Sequence, residues 1–274
     1  MEHLLRLTDS WDRSRLDGLF RLADAYEHGR GPIREGCAVL FFPDSSVRTR
    51  VTFELGVRRM GLTPVTLPPG TLDKPEASGD VASYLAQWAD ILVVRHPDIT
   101  VLEKLASCDA MPVVNAMTDA NHPCEVLSDL YSLSKIRNIY DLRYLFVGAD
   151  GNIGRAWQEA AVAFGLDLTQ CSPHDLAMPG TAWKGDLLEA SSGVDVIITD
   201  GPGPFAQELR PFQITPEVLQ AAANDVLLNP CPPFIRGREV SADAIAGPAF
   251  VGHEFKKALL PVQQAIMATC MNLT

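Results

Sequence analysis

The sequence predicts an α/β protein of two doubly wound parallel-sheet domains. Two observations carry this. Short apolar runs of strand length alternate with amphipathic runs of helix length. A polar stretch around NIYDLR (138–143) interrupts the alternation, which then restarts at LRYLFVGADGNIG as strand, glycine turn and helix.

Residues 11–30 place Trp11, Leu16, Leu19, Phe20, Leu22 and Ala23 at helical spacing until Gly29 and Gly31-Pro32 stop the pattern. CAVLFF (37–42) reads as a buried strand. SSVRTRVTFELGVRRMG (45–61) reads as a helix closed by Gly61, with Val51, Leu55 and Met60 expected inward. The alternation continues through PVTLP, GDVASYLAQWA, DILVVRHP, VLEKLASC, MPVVNA and HPCEVLSDLYSLSKIR. Further strands are expected at LDLTQC, DVIITD, DVLLNP and PAFVG. FKKALLPVQQAIMATCMNL (255–273) is expected as a closing helix, interrupted or kinked near Pro261. Successive strands joined through helices imply right-handed crossovers. The divisions expected are 1–137, 138–254 and a C-terminal helix, 255–274.

Composition narrows the function classes. With 274 residues, 47% of them hydrophobic, the chain can bury a substantial core. A net charge of −11 and a pI near 4.9 argue against a general nucleic-acid or anionic-membrane surface, so an anionic ligand must be met by a local cluster. Six scattered cysteines, no Cys-x-x-Cys pair and a polar start without a leader lead us to expect a reduced, cytoplasmic protein. No apolar run approaches the roughly 20 residues that span a bilayer.

Three clusters fall at successive strand ends, where parallel α/β sheets gather ligands. Ser46-Val47-Arg48-Thr49-Arg50 opens a helix, whose free N–H groups and positive dipole end favour an anion. A serine cap followed by a solvated basic turn is the plain alternative. Arginines at a helix N-terminus oppose the dipole, however, and that conflict favours a bound anion. Arg95-His96-Pro97 follows the strand DILVV, and His122-Pro123-Cys124-Glu125 opens the next helix.

SVRTR, RHP and HPCE, in this order and at these separations, resemble the aspartate and ornithine carbamoyltransferase family. The resemblance continues through FVGADGNIG, the ITD ending at Asp200, FQITPEVL and NPCPP, and so covers most of the chain. It implies transfer of a carbamoyl group from carbamoyl phosphate to an amine (EC 2.1.3.-), with no cofactor, no metal and a homotrimeric assembly. It also implies that the C-terminal helix packs back on the first domain. Carried over by resemblance, Ser46, Val47, Arg48 and Thr49 hold the phosphate. Thr49, Arg95 and His122 surround the carbonyl oxygen, and Glu125, Cys231 and Pro232 complete the donor site. Preorganised donors at such an oxygen each lower the barrier by about 2.7–4 kcal/mol. The amine's proton can pass to the departing phosphate, so no protein nucleophile is required. Lys74 lies where the aspartate enzymes carry a loop that reaches a neighbouring subunit; an exposed polar loop is the plain alternative.

Asn152 and Asp200 match positions that ornithine enzymes use for the acceptor, which implies an amino acid with a side-chain amine. Pro204 and Phe205 stand where the ornithine pattern has Ser-Met-Gly, Asn229 replaces a histidine, and Lys256 sits near an expected arginine. Val47 replaces a threonine, as in the N-acetylornithine and N-succinylornithine branches, which with these departures keeps another diamino acid or an N-acylornithine open as acceptor; Glu125 replaces a glutamine that would accept from the carbamoyl NH₂. Two readings of other kinds also stand. A nucleotide-binding oxidoreductase is suggested by Gly148-Ala149-Asp150-Gly151-Asn152-Ile153-Gly154. The spacing there is Gly-x-x-Gly-x-x-Gly rather than Gly-x-Gly-x-x-Gly, and the next strand ends in Gln170 where NAD enzymes carry an acid. A non-catalytic family member is the other.

Overall fold

A computed structural model describes residues 1–273. The chain divides into two compact units, one formed by Met1–Ser132 with the segment from Lys257 onward, the other by Leu133–Lys256. Each contains a fully parallel sheet.

The first unit runs α1 (Arg13–Glu27), β1 (Gly36–Phe41), α2 (Val47–Arg59), β2 (Leu62–Leu67), α3 (Ser78–Leu85), β3 (Ile91–Arg95), α4 (Ile99–Ala106), β4 (Val113–Met117) and α5 (Pro123–Ser134). Its strand order is β2-β1-β3-β4. β1 therefore pairs with β2 on one side and β3 on the other, Leu40 lying beside Thr66 and Val93. β1 and β3 are almost continuously apolar because both faces are covered, whereas the edge strand β2 is partly exposed. Val39, Phe41, Leu92 and Val94 pack with Ala82 of α3 and Leu102 and Leu105 of α4.

The second unit runs β5 (Arg143–Val147), α6 (Asn152–Phe164), β6 (Asp167–Cys171), β7 (Ala182–Lys184), α7 (Leu187–Ser191), β8 (Val196–Thr199), α8 (Pro216–Ala221), β9 (Leu227–Pro230) and α9 (Ala242–Ala246). Strand order is β7-β6-β5-β8-β9. Leu145, Val147, Ile197 and Leu228 form its core with Ala190, Val218 and Ala244. α10 (Leu259–Cys270) belongs to the first unit and packs on α1, α2 and β4.

The expected fold class and most elements are present. Gly61 closes α2 in the left-handed region at φ +83°, where its missing Cβ removes the steric penalty. Two local expectations are corrected, and one strand is present that the pattern did not suggest. In α2, Val51 and Leu55 are 59% and 39% exposed. The buried stripe is Thr49, Phe53, Gly56 and Val57, because the adjoining α10 sets which face turns inward. PAFVG is not a strand: Phe250 makes only an isolated bridge to Leu228. AWK (182–184) is one, paired with β6 despite its short, exposed sequence. The interruption expected near Pro261 is present just before it. A 3-10 turn (His253–Ala258) precedes α10, which places Pro261 in the first turn, where no N–H is needed.

Candidate active site

In the first unit the chain leaves β1 towards β2 and returns through β3 on the opposite side, so the loops after β1 and β3 diverge. Such a switch point opens a crevice at the strands' carboxyl ends. Ser46 follows β1, Arg95 ends β3 and His122 follows β4.

Ser46 is the N-cap of α2, yet its hydroxyl caps no helix N–H. It accepts instead from Arg95 Nη1 at 3.0 Å. The Val47 amide donates to Ser45 O at 3.0 Å, whereas the next amides of the first turn have no intrahelical acceptor, and no acidic residue occupies that turn. A register shift between Val94 and Arg95 ends the β3–β4 ladder irregularly, the kind of break that re-aims a side chain. Burial and, secondarily, the nearby Arg48 guanidinium lower the Arg95 pKa from its ordinary value. Arg48 forms no salt bridge among the described residues. Arg50 faces elsewhere, donating to Glu54 at 2.8 Å and lying 3.8 Å from Asp44. The two arginines of SVRTR are thus divided: one is neutralised locally, while the other has no salt bridge among the described residues and acts electrostatically on Arg95. Two neighbouring guanidiniums with a helix N-terminus form an electrostatic conflict that an anion relieves.

Thr49 is 7% exposed, whereas Val47 is 66% exposed. His122 and Glu125 are both buried, with Nε2 and Oε2 4.0 Å apart. The turn before His122 is built by residues whose role the sequence did not reveal. Asn115 Nδ2 donates to Asn121 Oδ1 at 2.6 Å, Asn121 Nδ2 to Leu5 O at 3.0 Å, and the Asn121 amide to Thr118 Oγ1 at 3.2 Å. The Cys124 thiol donates to Asn115 O at 3.3 Å and is pushed well above the usual thiol range by burial. It is consequently a poor thiolate nucleophile.

Lys74 is exposed at the end of the 3-10 turn Pro69–Asp73. That turn is tied to the end of β3: His96 accepts the Asp98 amide on Nδ1 at 3.0 Å, and its Nε2 lies 2.9 Å from Asp73 Oδ1. With Nδ1 accepting, Nε2 carries the proton and donates. Nothing in the RHP motif alone pointed to Asp73, which is 23 residues earlier.

In the second unit the corresponding switch point lies between β5 and β8. Asn152 begins α6 after β5, and Asp200 follows β8, with Oδ1 accepting the Gly201 amide at 2.8 Å. Pro204 and Phe205 lie in a 3-10 turn (Gly203–Phe205). Beside Asp200 opens a cavity of about 220 Å³, lined there by Pro202 and Ala206 rather than Pro204 or Phe205. Cys231 and Pro232 also belong to this unit; Cys231 is buried, and Pro232–Pro233 is a cis peptide.

The glycine turn is explained by packing. A Cβ on Gly154 would meet Phe146 at 2.7 Å and Met178 Sδ at 2.9 Å. Gln170, at the position where NAD enzymes carry a ribose-binding acid, is fully buried and committed. It donates to Gly148 O at 2.9 Å and Leu176 O at 3.1 Å and accepts the Met178 amide at 2.6 Å. Both observations argue against the dinucleotide reading. Among the described residues no group of His, Cys, Asp and Glu has the arrangement of a metal site, and no helix is long and apolar enough to cross a membrane.

Two parallel α/β units with an anion cradle at a switch point define a class of protein that binds a phosphorylated or similarly anionic small molecule. A family model for the carbamoyl-phosphate-binding domain of aspartate/ornithine carbamoyltransferases matches residues 2–135. The ornithine carbamoyltransferase of Methanothermobacter thermautotrophicus is 30% identical, with 99% of each chain covered. Among solved structures, ornithine carbamoyltransferase from Gloeobacter violaceus superposes with a TM-score of 0.88 at 26% identity, covering 99% of both chains. That from Pyrococcus furiosus gives 0.91 at 24% identity, covering 100% of this chain and 98% of its own. The chain belongs to the aspartate/ornithine carbamoyltransferase family.

Proposed function

We propose that this protein transfers the carbamoyl group of carbamoyl phosphate to the side-chain amine of an ornithine-like amino acid, releasing phosphate. The observation that carries the reading is the Arg48–Arg95 pair at the start of α2, with Arg95 fixed by Ser46 and no carboxylate partner on Arg48. The α2 amides, Ser46, Arg48 and Thr49 hold the phosphate dianion, with the exposed Val47 contributing its backbone. Thr49, Arg95 and His122 stabilise the oxyanion, and Glu125 accepts from the carbamoyl NH₂.

Asn152 and Asp200, with the turn carrying Pro204 and Phe205, recognise the acceptor. Its neutral amine attacks the carbonyl carbon, the C–O bond to phosphate breaks, and the amine's proton leaves with the phosphate. The reading includes a homotrimer in which Lys74 reaches a neighbouring subunit, and a cytoplasmic location. The His96–Asp73 hydrogen bond, which ties the Lys74 turn to the end of β3, supports a part for that loop.

The test is phosphate release and ureido-product colorimetry with carbamoyl phosphate and ornithine, N-acetylornithine, 2,3-diaminopropionate, putrescine or aspartate. Carbamoylation of an α-amino acid bearing a side-chain amine is expected. Turnover with aspartate alone, or with no acceptor, would overturn the reading.

A further inference from the structure

His122 is the last residue before α5, and Pro123 behind it restricts its backbone to extended conformations. The direction from which the chain reaches it is set by the residue in front, Asn121, which is fully buried. Closing the turn from Thr118 to Asn121 does not need the Asn121 side chain. The Thr118 amide donates to Asn121 O at 2.9 Å, and Thr118 Oγ1 accepts the Asn121 amide at 3.2 Å.

Apart from a 3.1 Å contact with Thr118 Oγ1, the Asn121 side chain is spent outside the turn. Its Oδ1 accepts from Asn115 Nδ2 on β4 at 2.6 Å, and its Nδ2 donates to Leu5 O at 3.0 Å. Leu5 belongs to an N-terminal run that joins the sheet beside β4. Leu4 forms a parallel bridge to Val114, donating to Val113 O at 3.0 Å and accepting the Asn115 amide at 2.8 Å. Leu5 O also accepts from Asn115 Nδ2, at 3.0 Å, and Asn115 O accepts the Cys124 thiol at 3.3 Å. Asn115 thus grips the chain on both sides of His122, at Asn121 and Cys124, and Leu5 O anchors both side-chain amides. Asn115 Oδ1 is itself buried without a partner, a cost the network bears while both Nδ2 hydrogens serve Leu5 and Asn121. Such precision matters next to a reacting group, where a misplacement of about 1 Å costs about a hundredfold in rate.

We propose that Asn121 is a positioning residue that acts through His122. Its buried amide, held between β4 and the N-terminal segment, fixes the point from which the imidazole reaches the developing oxyanion. The inference deepens the carbamoyl-transfer reading and rests on His122 being an oxyanion donor.

Steady-state phosphate release by the full chain, measured for Asn121→Ala, His122→Ala and the double variant, separates this role from a structural one. Asn121→Ala should lower kcat about ten- to a hundredfold and leave KM for carbamoyl phosphate within about twofold, because the phosphate is held at α2. In the His122→Ala background the same substitution should change kcat by less than about twofold, since the group it positions is already gone. Equal losses in both backgrounds, or an unchanged kcat in the parent, overturn the proposal.

A second readout is independent of turnover. In NMR spectra of protein carrying isotope-labelled histidine, the His122 ring signals are assigned by their absence from His122→Ala. They should shift or broaden in Asn121→Ala while those of the exposed His174 and His253 hold. Unmoved His122 signals overturn the proposal. Should Asn121→Ala fail to fold by circular dichroism, Asn121→Ser, whose shorter side chain gives up Asn115 and Leu5, goes through the same comparison with the same refuting outcomes. Failure of the carbamoyl-transfer reading looks different: the parent releases no phosphate with any acceptor, while the His122 signals still respond to Asn121→Ala.

Discussion

Replacing Arg95 by methionine separates the folding role of this residue from its chemical role. The substitution removes the 3.0 Å hydrogen bond to Ser46 and the half-buried charge held beside Arg48. The lost bond costs about 1 kcal/mol. The released Ser46 hydroxyl can then cap an α2 amide, which it does not do in the native arrangement, and an N-cap contributes about 1 kcal/mol. Removal of the like-charge neighbour also favours the variant, so unliganded stability should change by less than about 1 kcal/mol. Ligand-linked stability should change far more. At about 100 times its Kd, a phosphonate analogue of carbamoyl phosphate stabilises the native protein by about 2.7 kcal/mol. For a chain of this size that raises Tm by about 5–10 °C.

Losing a charge-assisted bond weakens binding by about 1.5–3 kcal/mol, roughly ten- to a hundredfold. The same analogue concentration then stabilises the variant by only about 0.4–1.4 kcal/mol. Turnover should fall about 10²–10³-fold from the missing oxyanion donor. Differential scanning fluorimetry with and without the analogue, beside steady-state phosphate release, reads all three quantities. A kcat within a few-fold of the parent, or an undiminished analogue-induced Tm shift, would refute this account of Arg95. A fall in unliganded Tm comparable to the lost shift would refute the compensating cap.

Three further outcomes are expected. Gly154→Ala places a methyl against Phe146 and Met178 and should destabilise the second unit by about 1–3 kcal/mol, read by thermal or urea denaturation; an unchanged midpoint would show that the contact yields freely. Arg50 and Thr66 donate to Glu54 and depress its pKa below the ordinary carboxylate value, so its contribution is present above about pH 4.5 and disappears as pH falls through the lower folded value. Glu54→Gln should therefore cost about 0.5 kcal/mol at neutral pH and nothing in acid, because the pair is partly exposed; a gap that widened in acid would reverse the sign argued here. Iodoacetamide should modify the partly exposed Cys37 and Cys108 of the native protein and spare the buried Cys124 and Cys270; burial pushes up the thiols of Cys37, Cys124 and Cys270, the last to about 12, so access decides between them. Activity should survive, and inactivation tracking Cys124 alkylation by peptide mapping would contradict a mechanism without a protein nucleophile.

The residue pattern alone dictates the parallel α/β plan, because strands buried on both faces must be continuously apolar and helices between them must be amphipathic. It also determined the donor motifs, because SVRTR, RHP and HPCE concentrate guanidinium, imidazole and hydroxyl groups directly after strands. What it left open depends on partners distant in the chain. The inward face of α2 is chosen by α10, some 200 residues later, so periodicity alone misplaced Val51 and Leu55. The two arginines of SVRTR look alike in sequence; only folding gives Arg50 to Glu54 and lets Arg48 act electrostatically on Arg95. Gln170 reads as a failed ribose binder until its hydrogen bonds to Gly148, Leu176 and Met178 show it bracing the glycine turn. Glu239 carried no motif at all. One of its carboxylate oxygens is buried without a hydrogen-bond partner, and desolvation of that kind exists only once the chain has closed around it.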